Sequence, residues 1–164
     1  MNVHPVQRIL FVCLGNICRS AMAEGIMRHK IEARGLGGQI CCNSAGFDRA
    51  TPGMPADPRA VATARQRGVV VETIARGVRS RDYVHFDLIL AMDRSNLAAL
   101  RAGCPKDVRH KLHLMRAFDR PPVANGEISD PYYGTQADFE PVFETLDRCT
   151  DSLIEHYRNN LLGE

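Results

Sequence analysis

No stretch of this 164-residue chain stays apolar long enough to cross a bilayer, since the run Ile9-Leu10-Phe11-Val12 falls far short of the roughly 20 residues a spanning helix needs. Met1 to Gln7 lack the basic start and long apolar core of a secretory leader, so a cytoplasmic protein with no membrane partner is expected. A formal net charge of only +2 gives no reason to expect a nucleic-acid partner. Six cysteines occur without a C-x-x-C pair, and no two histidines have complementary ligand spacing, so no metal site is expected. Nor do the cysteines read as a secreted disulfide framework. Cys41 and Cys42 adjoin in a strand-like stretch, where side chains face opposite ways; they read as packing residues rather than a redox pair, as do Cys104 and Cys149. Internal repeats, linkers and low-complexity segments are missing too, and a single domain over residues 1–164 is the simplest reading.

What is present is an ordinary globular mixture, 45% hydrophobic and 24% charged. Its charge is uneven: residues 1–82 carry 12 Lys or Arg against 6 Asp or Glu, and residues 83–164 carry 9 against 13. A basic first half suits a phosphorylated substrate, although surface solvation accounts for such an asymmetry as readily.

Within that half, Ile9-Leu10-Phe11-Val12 reads as a buried strand that runs into Cys13-Leu14-Gly15-Asn16-Ile17-Cys18-Arg19-Ser20 and then a helix near Ala21. A strand, loop and helix in this order aim the loop amides and the helix N-terminus at one point, which favours an anion. Cys13 and Arg19 stand so that the loop can curl round a phosphate-sized group, with the sulfur beneath it and the guanidinium over its oxygens. The same donors stabilise a negative sulfur, so Cys13 is expected to act as a nucleophilic thiolate. Gly15 and Asn16 both tolerate positive φ and suit a loop whose amides converge. Ser20 either hydrogen-bonds the sulfur or caps the helix.

CLGNICRS followed by AMAEGIM resembles the signature of the low-molecular-weight protein tyrosine phosphatases, cysteine-dependent enzymes with an α/β fold. Later motifs extend the likeness over nearly the whole chain. Ser44-Ala45-Gly46, read as the turn that closes a second strand over Gln39 to Asn43, resembles the family turn in which Ser44 would brace Asn16. Phe47 is the one aromatic residue between there and Asp57, where relatives present a groove-lining ring. Thr73 occupies the place of a family histidine that supports the loop network. Phe86-Asp87-Leu88-Ile89-Leu90-Ala91-Met92-Asp93, read as a third strand, matches the family pattern; the resemblance gives Asp93 the task of orienting Arg19, and its sequence alone equally fits a carboxylate at a helix start.

Asp130-Pro131-Tyr132-Tyr133-Gly134, at the end of a long loop, matches the family's general-acid loop, which makes Asp130 the proton donor to the leaving oxygen and then the base for water. Tyr132 and Tyr133 either wall the substrate groove or pack the loop onto the body. In this family a reversible disulfide from Cys18 to Cys13 recurs as protection of the nucleophile; a buried inert Cys18 is the other reading.

The remaining elements read as a helix capped at Asp57 and ending near Gly68, a helix opening at Ser95, an edge strand over residues 110–115 bearing His110 and His113, and a final amphipathic helix with Phe139, Val142, Phe143, Leu146, Cys149, Leu153 and Tyr157 inward. Gly35-Leu36-Gly37-Gly38 stops the first helix and lacks the context of a dinucleotide fingerprint. The expected architecture is a doubly wound, mostly parallel four-stranded sheet flanked by helices. The resemblance implies a cofactor-free tyrosine phosphatase, monomeric or weakly dimeric, acting on phosphotyrosine-containing proteins and small aryl phosphates through a phosphocysteine. Two family alternatives are weaker. A phosphoarginine phosphatase carries threonine where Ile17 stands, and a thioredoxin-coupled arsenate reductase needs further cysteines in the span between Cys42 and Cys104, which holds none.

Overall fold

The central strand β1 (Gln7–Cys13) is covered on both faces, because its residues alternate between two cores: Ile9, Phe11 and Cys13 enter one, Leu10 and Val12 the other. The computed structural model describes residues 5–162; residues 1–4 and 163–164, which belong to the expected single domain, lie outside them. β2 (Ile40–Gly46), β3 (Leu88–Ala91) and β4 (Leu112–Leu114) complete a sheet of order β2-β1-β3-β4 in which every neighbouring pair is parallel.

Helices α1 (Arg19–Ala33), α2 (Pro58–Gln66) and α5 (Phe139–Leu162) pack on one face, and α3 (Asp82–His85) with α4 (Arg94–Gly103) on the other. The chain leaves β1 towards β2 on one side and later returns to β3 on the other. Side chains at the carboxyl end of β1 therefore face a crevice at the topological switch point, the usual ligand position in such sheets. α1 is buried without a break from Arg19 to Met27 because α2 and α5 cover what the sheet leaves open. Lys30 ties α1 to α5, donating to Asp147 O at 2.6 Å and Thr150 Oγ1 at 2.8 Å.

Several boundaries differ from expectation. Ser44, Ala45 and Gly46 do not turn; they continue β2 and pair with Phe11, Val12 and Cys13. β3 ends at Ala91, so Asp93 caps α4 instead of ending the strand. His113 lies on the edge strand, exposed between buried Leu112 and Leu114, whereas His110 belongs to a short 3-10 turn, Lys106–Lys111. The apolar spacing of α5 holds: all seven expected residues are buried. Among the described residues no helix is long and apolar enough to cross a membrane.

Candidate active site

The loop between β1 and α1 is shaped by Asn16, the only non-glycine residue of positive φ (+55°) among the described residues. The left-handed position is therefore Asn16 rather than Gly15. Its side chain is fully used: Nδ2 donates to Ser20 Oγ at 2.8 Å and Ser44 Oγ at 2.9 Å, and Oδ1 accepts from Arg76 N at 3.0 Å. Such closure over-determines a backbone that a non-glycine residue otherwise avoids. Gly46 explains why the loop can come so close to β2, since a Cβ there would stand 2.6 Å from Leu14 O and 2.9 Å from Asn16 N.

Cys13 Sγ, buried at the end of β1, accepts from Asn16 N at 3.3 Å and lies 3.0 Å from Ser20 Oγ. Ser20 Oγ accepts from Asn16, which leaves its own proton for the sulfur. Cys18, not Ser20, holds the N-cap position of α1, so the hydroxyl serves the sulfur. Thr73 does not reach this network: its hydroxyl bonds Glu24 on α1, and the amide of Arg76 makes the contact with Asn16.

Arg19 is 2% exposed and held from one side. Its Nη1 donates to Asp93 Oδ2 at 2.7 Å and to Ile128 O at 2.9 Å, while Nη2 lies 3.4 Å from Asp130 Oδ2. Asp93 touches Arg19 through Oδ2 and also caps α4, its Oδ1 accepting from Asn96 N at 2.7 Å. Arg19 Nε is buried with no partner among the described residues. The loop that carries Asp130 reaches the site because Ile128 N donates to Met92 O at 2.9 Å beyond β3.

Cys13, Leu14, Ile17 and Cys18 line a pocket of about 250 Å³ together with Asp130, Tyr132 and Tyr133. The two tyrosines meet edge to face, 5.0 Å apart, and Tyr133 is 91% exposed. They wall the opening rather than only packing the loop. Phe47 is not brought here: extension of β2 through Gly46 turns it, half-buried, onto the core under α4, and Asp48, Ala50, Thr51 and Met54 form that side of the pocket. Burial, with Asp57 and Asp130 facing it, pushes the Cys18 thiol far above its ordinary range. All six cysteines are free thiols, Cys41 exposed and Cys42, Cys104 and Cys149 buried.

The sequence reading missed Arg59 and Arg76. Arg59 looked like the second residue of a capped helix, and Arg76 like the end of Ile74-Ala75-Arg76, a stretch that resembles the family segment of the supporting histidine, with no task of its own. Their long-range partners, Tyr132 and Gly134 for Arg59 and Asn16 for Arg76, lie 60 to 75 positions away, and no local signal marks those contacts.

A thiol at the carboxyl end of a central parallel strand, bonded by a loop amide, with a buried guanidinium nearby and a carboxylate in the same pocket, fits a cysteine-dependent hydrolase of phosphate esters. Comparison with known proteins agrees. Residues 8–161 match the family model for low molecular weight phosphotyrosine protein phosphatase. The chain is 38% identical over 157 residues to the enzyme of that name from Gallus gallus, covering 94% of this chain and 98% of that one. Against the Sus scrofa protein identity is 37% over 160 residues, covering 96% and 100%. A crystal structure of protein tyrosine phosphatase from Entamoeba histolytica, with Hepes in the active site, matches with a TM-score of 0.89 at 36% identity, covering 94% and 98%. The chain belongs to the low molecular weight phosphotyrosine protein phosphatase family.

Proposed function

We propose that the protein hydrolyses phosphotyrosine in proteins, and small aryl phosphates, through a phosphocysteine intermediate. The observation that carries this reading is Arg19, a buried guanidinium whose Nη1 is taken by Asp93 and Ile128 while Nε has no partner among the described residues, and whose Nη2 lies 3.4 Å from the Asp130 carboxylate that lines one pocket with the Cys13 thiol. A phosphoryl oxygen is the acceptor that site suits.

The Cys13 thiolate attacks phosphorus, forming the P–S bond as the P–O bond to the phenol breaks. Loop amides and Arg19 hold the equatorial oxygens. Asp130 passes its proton to the departing phenolate oxygen. The resulting carboxylate then takes a proton from water, whose oxygen attacks phosphorus; the P–S bond breaks, and the sulfur leaves as thiolate with Ser20 donating to it. Tyr132 and Tyr133 supply faces for an aromatic ring. Ile17, apolar and in the pocket wall, offers no acceptor to a guanidinium, so phosphotyrosine is favoured over phosphoarginine.

The test is metal-free hydrolysis of phosphotyrosine and phosphoarginine peptides by wild type, Cys13→Ser and Asp130→Ala. Cys13→Ser falls to background. Asp130→Ala loses about 10²- to 10⁴-fold on phosphotyrosine, the range for a general acid. Turnover by Cys13→Ser equal to wild type would overturn the mechanism, and preference for phosphoarginine would overturn the substrate class.

A further inference from the structure

We propose that Arg59 is the positioning residue for the general acid, a clamp that joins the acid loop to the phosphate loop and sets Asp130 over the thiol. The proposal rests on the assignment of Asp130 as the acid.

Every nitrogen of the Arg59 guanidinium donates. Nε bonds Asp57 Oδ1 at 3.0 Å, Nη2 bonds Asp57 Oδ2 at 2.8 Å and Tyr132 O at 2.8 Å, and Nη1 bonds Gly134 O at 3.0 Å. The planar group also lies over two rings, 4.8 Å from the centroid of Phe139 and 5.6 Å from that of Tyr132. Tyr132 and Gly134 flank the turn just after Asp130, and Tyr132 N in turn donates to Asp130 Oδ1 at 3.2 Å.

The other end of the clamp is anchored on the phosphate loop. Asp57 N donates to Ile17 O at 2.8 Å, and Asp57 Oδ1 also caps α2 by accepting from Arg59 N at 2.9 Å. Arg59 beside it holds the Asp57 carboxyl below the usual carboxylate range, so the pair stays charged through neutral pH. A continuous path thus runs from Ile17 through Asp57 and Arg59 to Tyr132 and Asp130. Only a guanidinium can hold two carbonyls and a carboxylate in one plane while stacking on rings.

A clamp that merely stabilised the fold would lower turnover of all substrates alike. One that positions a proton donor acts according to the need of the leaving group for a proton. The experiment compares kcat/KM for p-nitrophenyl phosphate, whose leaving group departs readily as an anion, with that for phenyl phosphate, whose leaving group does not. Arg59→Ala is expected to lose roughly 10²-fold on phenyl phosphate, the cost of an ångström-scale misplacement, and no more than about threefold on p-nitrophenyl phosphate. Arg59→Lys, which keeps charge and stem without the fork, shows the same selectivity and covers the case in which the alanine variant fails to fold. In an Asp130→Ala background the Arg59 change adds nothing on phenyl phosphate, since positioned and positioner act as one unit.

Equal losses on both substrates in Arg59→Lys, or full additivity with Asp130→Ala, would overturn the proposal. Asp130→Ala showing no dependence on the leaving group would instead overturn the acid assignment itself.

Discussion

At Gly46 a hydrogen atom stands where a methyl group would press on the carbonyl of Leu14 and the amide of Asn16. Gly46→Ala should therefore leave the sheet paired while pushing the phosphate loop out of register. We expect a loss of kcat/KM of about tenfold or more, with weaker inhibition by inorganic phosphate, because a sub-ångström shift of converging amides is costly. An alanine variant with wild-type kinetics would show that the loop adapts. Cys13, Arg19 and Asp130, the residues proposed to carry the chemistry, stand out in sequence because chemistry restricts the residue type and a short motif restricts the spacing. The misreading of Phe47 has a definite origin: three small residues look like a turn, but pairing with β1 keeps them extended, and the next side chain then points to the other core.

Asp119 shows how one side chain fixes an element. It stands at the head of the long acid loop, 2% exposed, and accepts from Arg148 Nε on α5 at 2.9 Å, Arg116 Nε at 3.1 Å and Arg120 N at 2.7 Å. Burial opposes its ionisation, but these donors outweigh burial and hold the carboxyl below its ordinary value of 3.8. A carboxylate whose folded value is depressed contributes stability above its unfolded value, and the contribution is lost as pH falls through the folded value. Asp119→Asn should cost about 1.5–3 kcal/mol in urea denaturation at pH 7, the worth of hydrogen bonds to a charged group. The gap between variant and wild type should begin to narrow as pH falls below about 4, the unfolded aspartate value, and close once pH is below the depressed folded value. A gap unchanged at low pH would mean that packing, not charge, anchors the loop. The helices were legible at this scale from caps and stop signals such as Asp57-Pro58 and Gly35, which takes φ +64°. α1 was only partly so, because burial all round erases the stripe that marks a surface helix.

For the molecule as a whole, the proposed phosphate site is a point where three loops and three strands converge, so occupation by an anion should stabilise the entire fold. Inorganic phosphate at about 100 times its Kd should add roughly 2.7 kcal/mol. This should be seen as a rise in Tm that Cys13→Ser retains and Arg19→Lys largely loses, since an ammonium cannot replace the fork. A wild-type Tm indifferent to phosphate would argue against a preformed cradle. The sequence by itself determined the alternation of strands and helices and singled out the loop proposed to bind the anion, with Cys13 as its proposed nucleophile, because periodicity, caps and motif spacing act within a few residues. Only the tertiary structure decided that Asn16 is braced by Ser44 and Arg76, that Thr73 turns to Glu24, and that Arg59 holds the acid loop. Those contacts join residues 28, 49, 60 and 73 positions apart, and nothing local encodes which buried donor will meet which acceptor once the cores close.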